Sequence, residues 1–314
     1  MIGGDVLTSY QQPLRGYSAQ RLARRSLVGV ACSLLAVATG AQEGGNGREH
    51  QLVTASQPEG RLLAFYSAAM VFTPIGTLPR GERWSVGLEG TWIPILNESQ
   101  RRPGIDKPET TNLAPILPRP RLAVRTRFAD LDASWVPPLP VADASANLYA
   151  VAASRTLRRW RGTEVTPRLS IVGGRVRGAI TCNARTAAQD GATLATYYAA
   201  VCRGHESDDW FEPRILAAEL VAIRPLPGRA RRGHVWIALG ERIDRSRFDI
   251  GVQRTDGSRD PDHPVLQLRD VRPHASVGAR WRLSNRTLAA AEGFYAPGSL
   301  ATIRLFAAVA GRRP

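Results

Sequence analysis

Seven arginines carry the strongest chemical signal in this chain: Arg121, Arg125, Arg127, Arg168, Arg280, Arg282 and Arg304. Each sits at an alternate position of a segment whose intervening residues are mostly apolar. A guanidinium is planar, always charged and carries five donors, so it suits carboxylates, phosphates and carbonyl oxygens. Gathered on one face, these groups would either favour a small anion or form ion pairs with Glu89, Glu219, Glu241 or Glu292. His274 and Ser276 are the next candidates. Two residues apart on a strand, they share a face, and a His beside a Ser is half of a nucleophilic arrangement. Such a pair needs a third group to orient the imidazole, and spacing alone assigns none. Two acidic clusters hold Asp208 and Asp209, with His205, Glu206 and Glu212, and Asp256, Asp260 and Asp262, with His263. Their oxygens suit Ca²⁺, but neither cluster has the regular D-x-D-x-D-G spacing of a calcium loop. Solvated loop charge is the plainer reading, and no metal is assigned. There is no Gly-rich phosphate loop, Cys/His zinc spacing or C-x-x-C pair, so no cofactor is expected.

The elements that must position these residues show a period of two. From Pro273 to Leu283, Ala275, Val277, Ala279, Trp281 and Leu283 alternate with His274, Ser276, Gly278, Arg280 and Arg282. From Trp84 to Trp92, an apolar face with a Trp at each end alternates with Ser85, Gly87, Glu89 and Thr91. Leu122, Val124, Thr126 and Phe128 alternate with arginines, as do Ile303 and Leu305 with Arg304. Alternation of this kind in strand after strand, with aromatic ends, predicts an all-β antiparallel transmembrane barrel, apolar outside and polar inside. Ten strands are expected, at 62–72, 83–93, 121–135, 147–157, 164–180, 214–224, 234–254, 265–283, 287–295 and 301–309. Segment 214–224 is apolar on both faces apart from Glu219 and is also compatible with a short helix. Segments 234–254 and 265–283 are too long for a hydrocarbon layer ~30 Å thick and are expected to project beyond it. An even count places both barrel ends on one side. The Cys loop and 255–264 then lie on the opposite side from the short turns at 158–162, 225–233 and 284–285. The proline-rich stretch 97–119 breaks this asymmetry, which implies a miscounted strand pair or a plug.

The N-terminal region adds the compartment. A basic segment, Arg21–Arg25, precedes the apolar run Ser26–Ala38, and small residues follow. This order predicts a cleaved signal peptide over residues 1–41, with Cys32 lost in it, then a flexible lead over 42–60 and the barrel over 61–314. Export leaves Cys182 and Cys202, an even pair expected to form a disulfide. The chain has a formal net charge of +15 and a pI near 11.0. The cations are spread along strand faces and Lys107 is the single lysine, so no nucleic-acid partner is expected.

Signal peptide, alternation, aromatic ends and loop asymmetry together resemble bacterial outer-membrane β-barrel proteins of Gram-negative cells, over roughly residues 61–310. Such barrels usually end in an aromatic residue. Here the tail is Gly311-Arg312-Arg313-Pro314, and Phe306 is the nearest aromatic. The resemblance implies an outer-membrane location and contact with membrane lipid, lipopolysaccharide and the barrel-assembly machinery. It also implies a monomer with a porin-like but mostly occluded, arginine-rich lumen, structural or serving as a narrow path for small anionic or amphiphilic solutes. Two alternatives stay open. His274 and Ser276 resemble the site of outer-membrane lipid hydrolases, although those present the pair to the membrane and here both face the lumen. A soluble periplasmic β-sandwich binder is the other. The leading expectation is a non-enzyme.

Overall fold

A computed structural model describes residues 50–97, 115–141, 144–184, 187, 202, 204–227, 233–254, 256–260 and 265–311. The expected signal peptide, the first part of the lead, Asp262 and His263 lie outside these residues.

Ten strands close on themselves. In chain order they are β2 (Trp84–Trp92), β3 (Ile116–Arg125), β4 (Asp130–Val141), β5 (Ala144–Ser154), β7 (Thr163–Gly178), β9 (Ile215–Pro225), β10 (Gly233–Asp244), β13 (Asp270–Arg282), β14 (Thr287–Ala296) and β15 (Leu300–Gly311). Each pairs antiparallel with the next around the ring, β15 closes on β2, and β7 pairs with β9. The result is a barrel without free edges, not the two packed sheets of a sandwich. Alternation follows the pleat. On β15, Ile303, Leu305 and Val309 face outward and Thr302, Arg304 and Phe306 face inward. On β13, Val277 and Trp281 are exposed while His274, Ser276 and Arg280 are buried. Exposed aromatics mark both rims of the outer apolar belt: Trp84, Phe128, Trp160 and Trp281 at one, Trp92, Trp135, Tyr149 and Tyr295 at the other.

Two strand expectations are corrected, and the errors cancel in the count. Residues 62–72 are not a strand. Pro58–Met70 form an α-helix, α1, with Pro58 in its first turn. The segment is apolar on every side, so periodicity cannot separate a buried helix from a buried strand. Its Ala, Leu and Met content favours the helix. A helix apolar all round must be enclosed, and nearly every residue from Leu62 to Phe72 is buried. Conversely, 121–135 is two strands. Thr126 makes the turn, its Oγ1 accepting from the N–H groups of Phe128 and Ala129. With this hairpin restored, the 93–115 connection joins the same barrel end as the Cys loop and 245–269, which removes the anomaly. Segment 214–224 is a strand.

The long hairpin also differs. Residues beyond the barrel rim form separate short strands: β8 (Asp209–Glu212), β11 (Arg247–Asp249) and β12 (Val265–Leu268). Together with β1 (His50–Val53), which pairs parallel with β12, they extend the sheet from the end of β7. A three-residue strand, β6 (Arg158–Trp160), lies at the opposite rim against β7. Within the lead, then, 50–53 is strand and 58–60 begins the helix. Cys182 and Cys202 are joined, with Cα atoms 5.6 Å apart. Val252 packs on the bridge, and Ser207 bonds the backbone of Cys182. A bridge at a sequence separation of 20 stabilises by roughly 3 kcal/mol on loop-closure grounds.

Candidate functional site in the barrel lumen

From β1 at the long-loop rim, the chain runs through α1, a 3-10 turn at Pro74–Gly76 and an extended stretch to Glu82 before β2 begins at the short-turn rim. Residues 62–79 are buried along this whole path. The segment therefore crosses the lumen from one mouth to the other.

Most of the inward arginines bond to that segment. Helix ends leave their last carbonyls unpaired and carry partial negative charge. α1 has no basic residue in its last turn, and the barrel wall supplies the cations instead. Arg304 donates to Val71 O at 2.6 Å and Ala69 O at 3.4 Å. Arg119 donates to Met70 O at 3.1 Å and Val71 O at 3.5 Å. Further along, Arg168 reaches Phe72 O and Thr73 O, Arg121 reaches Thr73 O, and Arg280 reaches Ile75 O and Thr77 O. Arg125 takes Leu78 O and Pro79 O. The Phe72 ring lies among three guanidiniums, those of Arg121, Arg168 and Arg119, at 4.0, 5.2 and 5.6 Å from its centroid. Gly76 lets the guanidinium come close: a Cβ there would stand 2.5 Å from Arg121 Nε and push it aside.

Carboxylates balance part of this charge. Arg121 bridges Glu89, at 2.5 Å, and Asp132. Arg304 and Arg119 lie 3.6 and 3.9 Å from the same Glu89. Arg168 pairs with Glu219 at 2.5 Å. Glu292 accepts from Trp236 Nε1. Glu241 is exposed and takes no part.

The other expected site residues fall as follows. Arg282 lies at the short-turn rim, bonded to Glu82. Arg127 is not in the lumen: it lies in the exposed β3–β4 turn, over the Phe128 ring. His274 and Ser276 face inward and are buried. Glu219 Oε1 stands 3.0 Å from His274 Nε2, an acid partner that spacing could not assign because it comes from another strand. Among the acidic candidates, Asp208 is held by Arg177, which lowers its carboxyl below the usual range. Asp209 is buried, accepting from Ser207 Oγ and the N–H groups of Thr181 and Gly251. Asp256 accepts from Ser258, and Asp260 is 3.5 Å from Arg254. Among the described residues, no group of three His, Cys, Asp or Glu could hold a metal ion.

Two inward arginines escaped the sequence reading, Arg119 and Arg242, both essentially fully buried. Arg119 lies between Pro118 and Pro120 in what reads as a loop, although it is two residues from Arg121 and so on its face. Beside the last part of the segment, a vestibule of about 640 Å³ opens at the short-turn rim, lined by Arg80, Arg159, His234, Trp236, Arg280 and Arg282.

No protein-family model matches the chain, and no curated protein matches its sequence. Among solved structures it is similar to a loop-deleted form of OmpT, an outer-membrane protein of Vibrio cholerae (7% identity, TM-score 0.25, covering 62% of this chain and 54% of that one). It is also similar to the toluene transporter TodX of Pseudomonas putida (9% identity, TM-score 0.29, covering 78% and 72%). The chain thus spans about half the length of the first of these.

Proposed function

We propose that this chain is an outer-membrane barrel whose own N-terminal segment closes its lumen, with the long connections outside the cell and the short turns in the periplasm. The observation that carries the proposal is the capture of backbone carbonyls between Ala69 and Pro79 by six inward arginines. Groups committed to a polypeptide backbone are not free to coordinate a passing anion. Their first role is to seat the plug, and any path for small anionic or amphiphilic solutes opens only when the plug moves. The outer belt supports the membrane location. Contiguous exposed apolar surface with aromatic rims is costly in water and favoured in a bilayer.

Two measurements test this. Fractionation with heat-modifiable gel mobility is expected to place the protein in the outer membrane, and recovery in the soluble fraction would reject that. In planar bilayers the parent protein is expected to stay electrically silent, whereas steady open conductance would overturn the plugged reading.

The hydrolase alternative requires a substrate to reach His274 and Ser276. Both are 3% exposed, Glu219 is already paired with Arg168, and the plug covers the same lumen. Ser276→Ala is therefore expected to leave ester hydrolysis in detergent at the parent's background. A loss of measurable activity in that variant would restore the enzyme reading.

A further inference from the structure

Neighbouring strands around the ring are joined by registers of eight or more residue pairs. The seam between β3 and β4 is the exception. Only Arg121–Arg125 pair with Asp130–Ser134, although the strands run 10 and 12 residues. The cause is chemical. Arg125 N–H donates to Arg83 O, and Pro115 O accepts from Ile93 N–H, both across the β2 side. Backbone groups alternate sides along a strand, so the even-numbered residues of β3 present theirs to β4. Pro118 and Pro120 occupy two of those positions and have no N–H to give. Continuing the observed register would set Pro118 opposite Pro137, so neither strand supplies a donor there. What is left along the gap is mainly carbonyl oxygen, whose under-pairing is milder than an orphaned N–H.

An apolar cavity of about 280 Å³ lies at this gap. Its inner lining is Tyr66, Ala69 and Met70 of α1; Leu88 and Ile116, both more than half exposed, form its outer lip. It thus joins the outward, belt side of the wall to the flank of the plug. We propose that the gap is a lateral port and that its occupant is the alkyl chain of a single-tailed amphiphile, entering from the hydrocarbon layer to lie against α1. The occupant follows from the setting. The lip belongs to the apolar belt, the lining is almost wholly hydrocarbon, and the volume approaches the ~300 Å³ lower bound of small-ligand pockets. The proposal rests on the barrel being membrane-embedded. It adds a route that does not pass along the arginine-lined axis.

The test uses the full chain in lipid nanodiscs with cis-parinaric acid as the probe, read by its fluorescence. Saturable binding at one site is expected. Pro118→Val, Pro120→Ile and Pro137→Val together restore the donors that zip the seam and should weaken binding at least tenfold. Ala146→Phe, which fills the cavity without touching the seam, should do the same, while Leu239→Phe on another part of the belt should not. Non-saturable partitioning in the parent, or an affinity in both altered forms equal to the parent's, would overturn the port. Failure of the parent to enter nanodiscs would instead overturn the membrane reading, and the port with it.

Discussion

Arg121→Leu is expected to destabilise the barrel by about 3–5 kcal/mol, the cost of breaking a buried ion pair from one side. Arg121 bridges Glu89 and Asp132, donates to Thr73 O and lies over the Phe72 ring. Among the described residues, its loss leaves Asp132 with Arg168 at 3.9 Å as its remaining ion-pair contact. Glu89 keeps Arg304 and Arg119, but at 3.6 and 3.9 Å, beyond hydrogen-bond reach. Adding Glu89→Gln and Asp132→Asn removes the orphaned charges, and much of the stability should return, since neutral replacement of a whole buried cluster is often tolerated. The midpoint of thermal unfolding in detergent, followed by heat-modifiable mobility, reads both effects. An unchanged midpoint for the single substitution would mean that Arg121 is not the hub that its contacts describe. Lys in its place keeps the charge but not the planar fork, so it should recover only part of the loss.

How far this network was legible in the sequence depends on the element. Strands with one apolar face, such as β2, β13 and β15, announce their inward residues by alternation alone. Glu89, Arg280 and Arg304 are where the pattern puts them. α1 was not legible as a helix, because burial on every side erases the periodicity that distinguishes helix from strand. Its place in the lumen depends on closure of the barrel around it, which no local pattern records. The β3–β4 turn at 126–129 lacks Gly and Pro, the usual punctuation. Thr126 makes it through its hydroxyl, and the alternation runs on through Phe128. Arg119 was hidden by its flanking prolines, which read as loop and in fact mark an unpaired seam. The pairing of His274 with Glu219 joins residues 55 apart in sequence. Such a contact follows from the β9–β10–β13 register and from nothing nearer.

The plug itself gives the second large effect. Arg119→Gln with Arg304→Gln should turn a silent barrel into a conducting one. The two guanidiniums make four bonds to the last carbonyls of α1 and the residue after it. A hydrogen bond to a charged group is worth roughly 1.5–3 kcal/mol. Even one such bond lost per arginine removes about 3–6 kcal/mol from the seating of the helix. A shift of about 5.5 kcal/mol moves a two-state equilibrium from 1:99 to 99:1, so openings should go from undetectable to frequent in planar bilayers. Displacement that carries the following Phe72–Thr77 stretch out with α1 leaves Arg121, Arg168 and Arg280 on the wall without their carbonyl partners. The open state should therefore prefer small anions to cations. That preference should fade between about 0.1 and 1 M salt, as the Debye length falls from about 10 to about 3 Å. A thiol introduced by Ser67→Cys reports the movement independently, since Ser67 is fully buried against Asp244 and Ser246. Silence in the bilayer although that thiol is labelled would show that something other than the helix blocks the lumen. Cation-selective openings would mean that the remaining arginines do not set the field along the path, and that the carboxylates Glu89, Glu219 and Glu292 do.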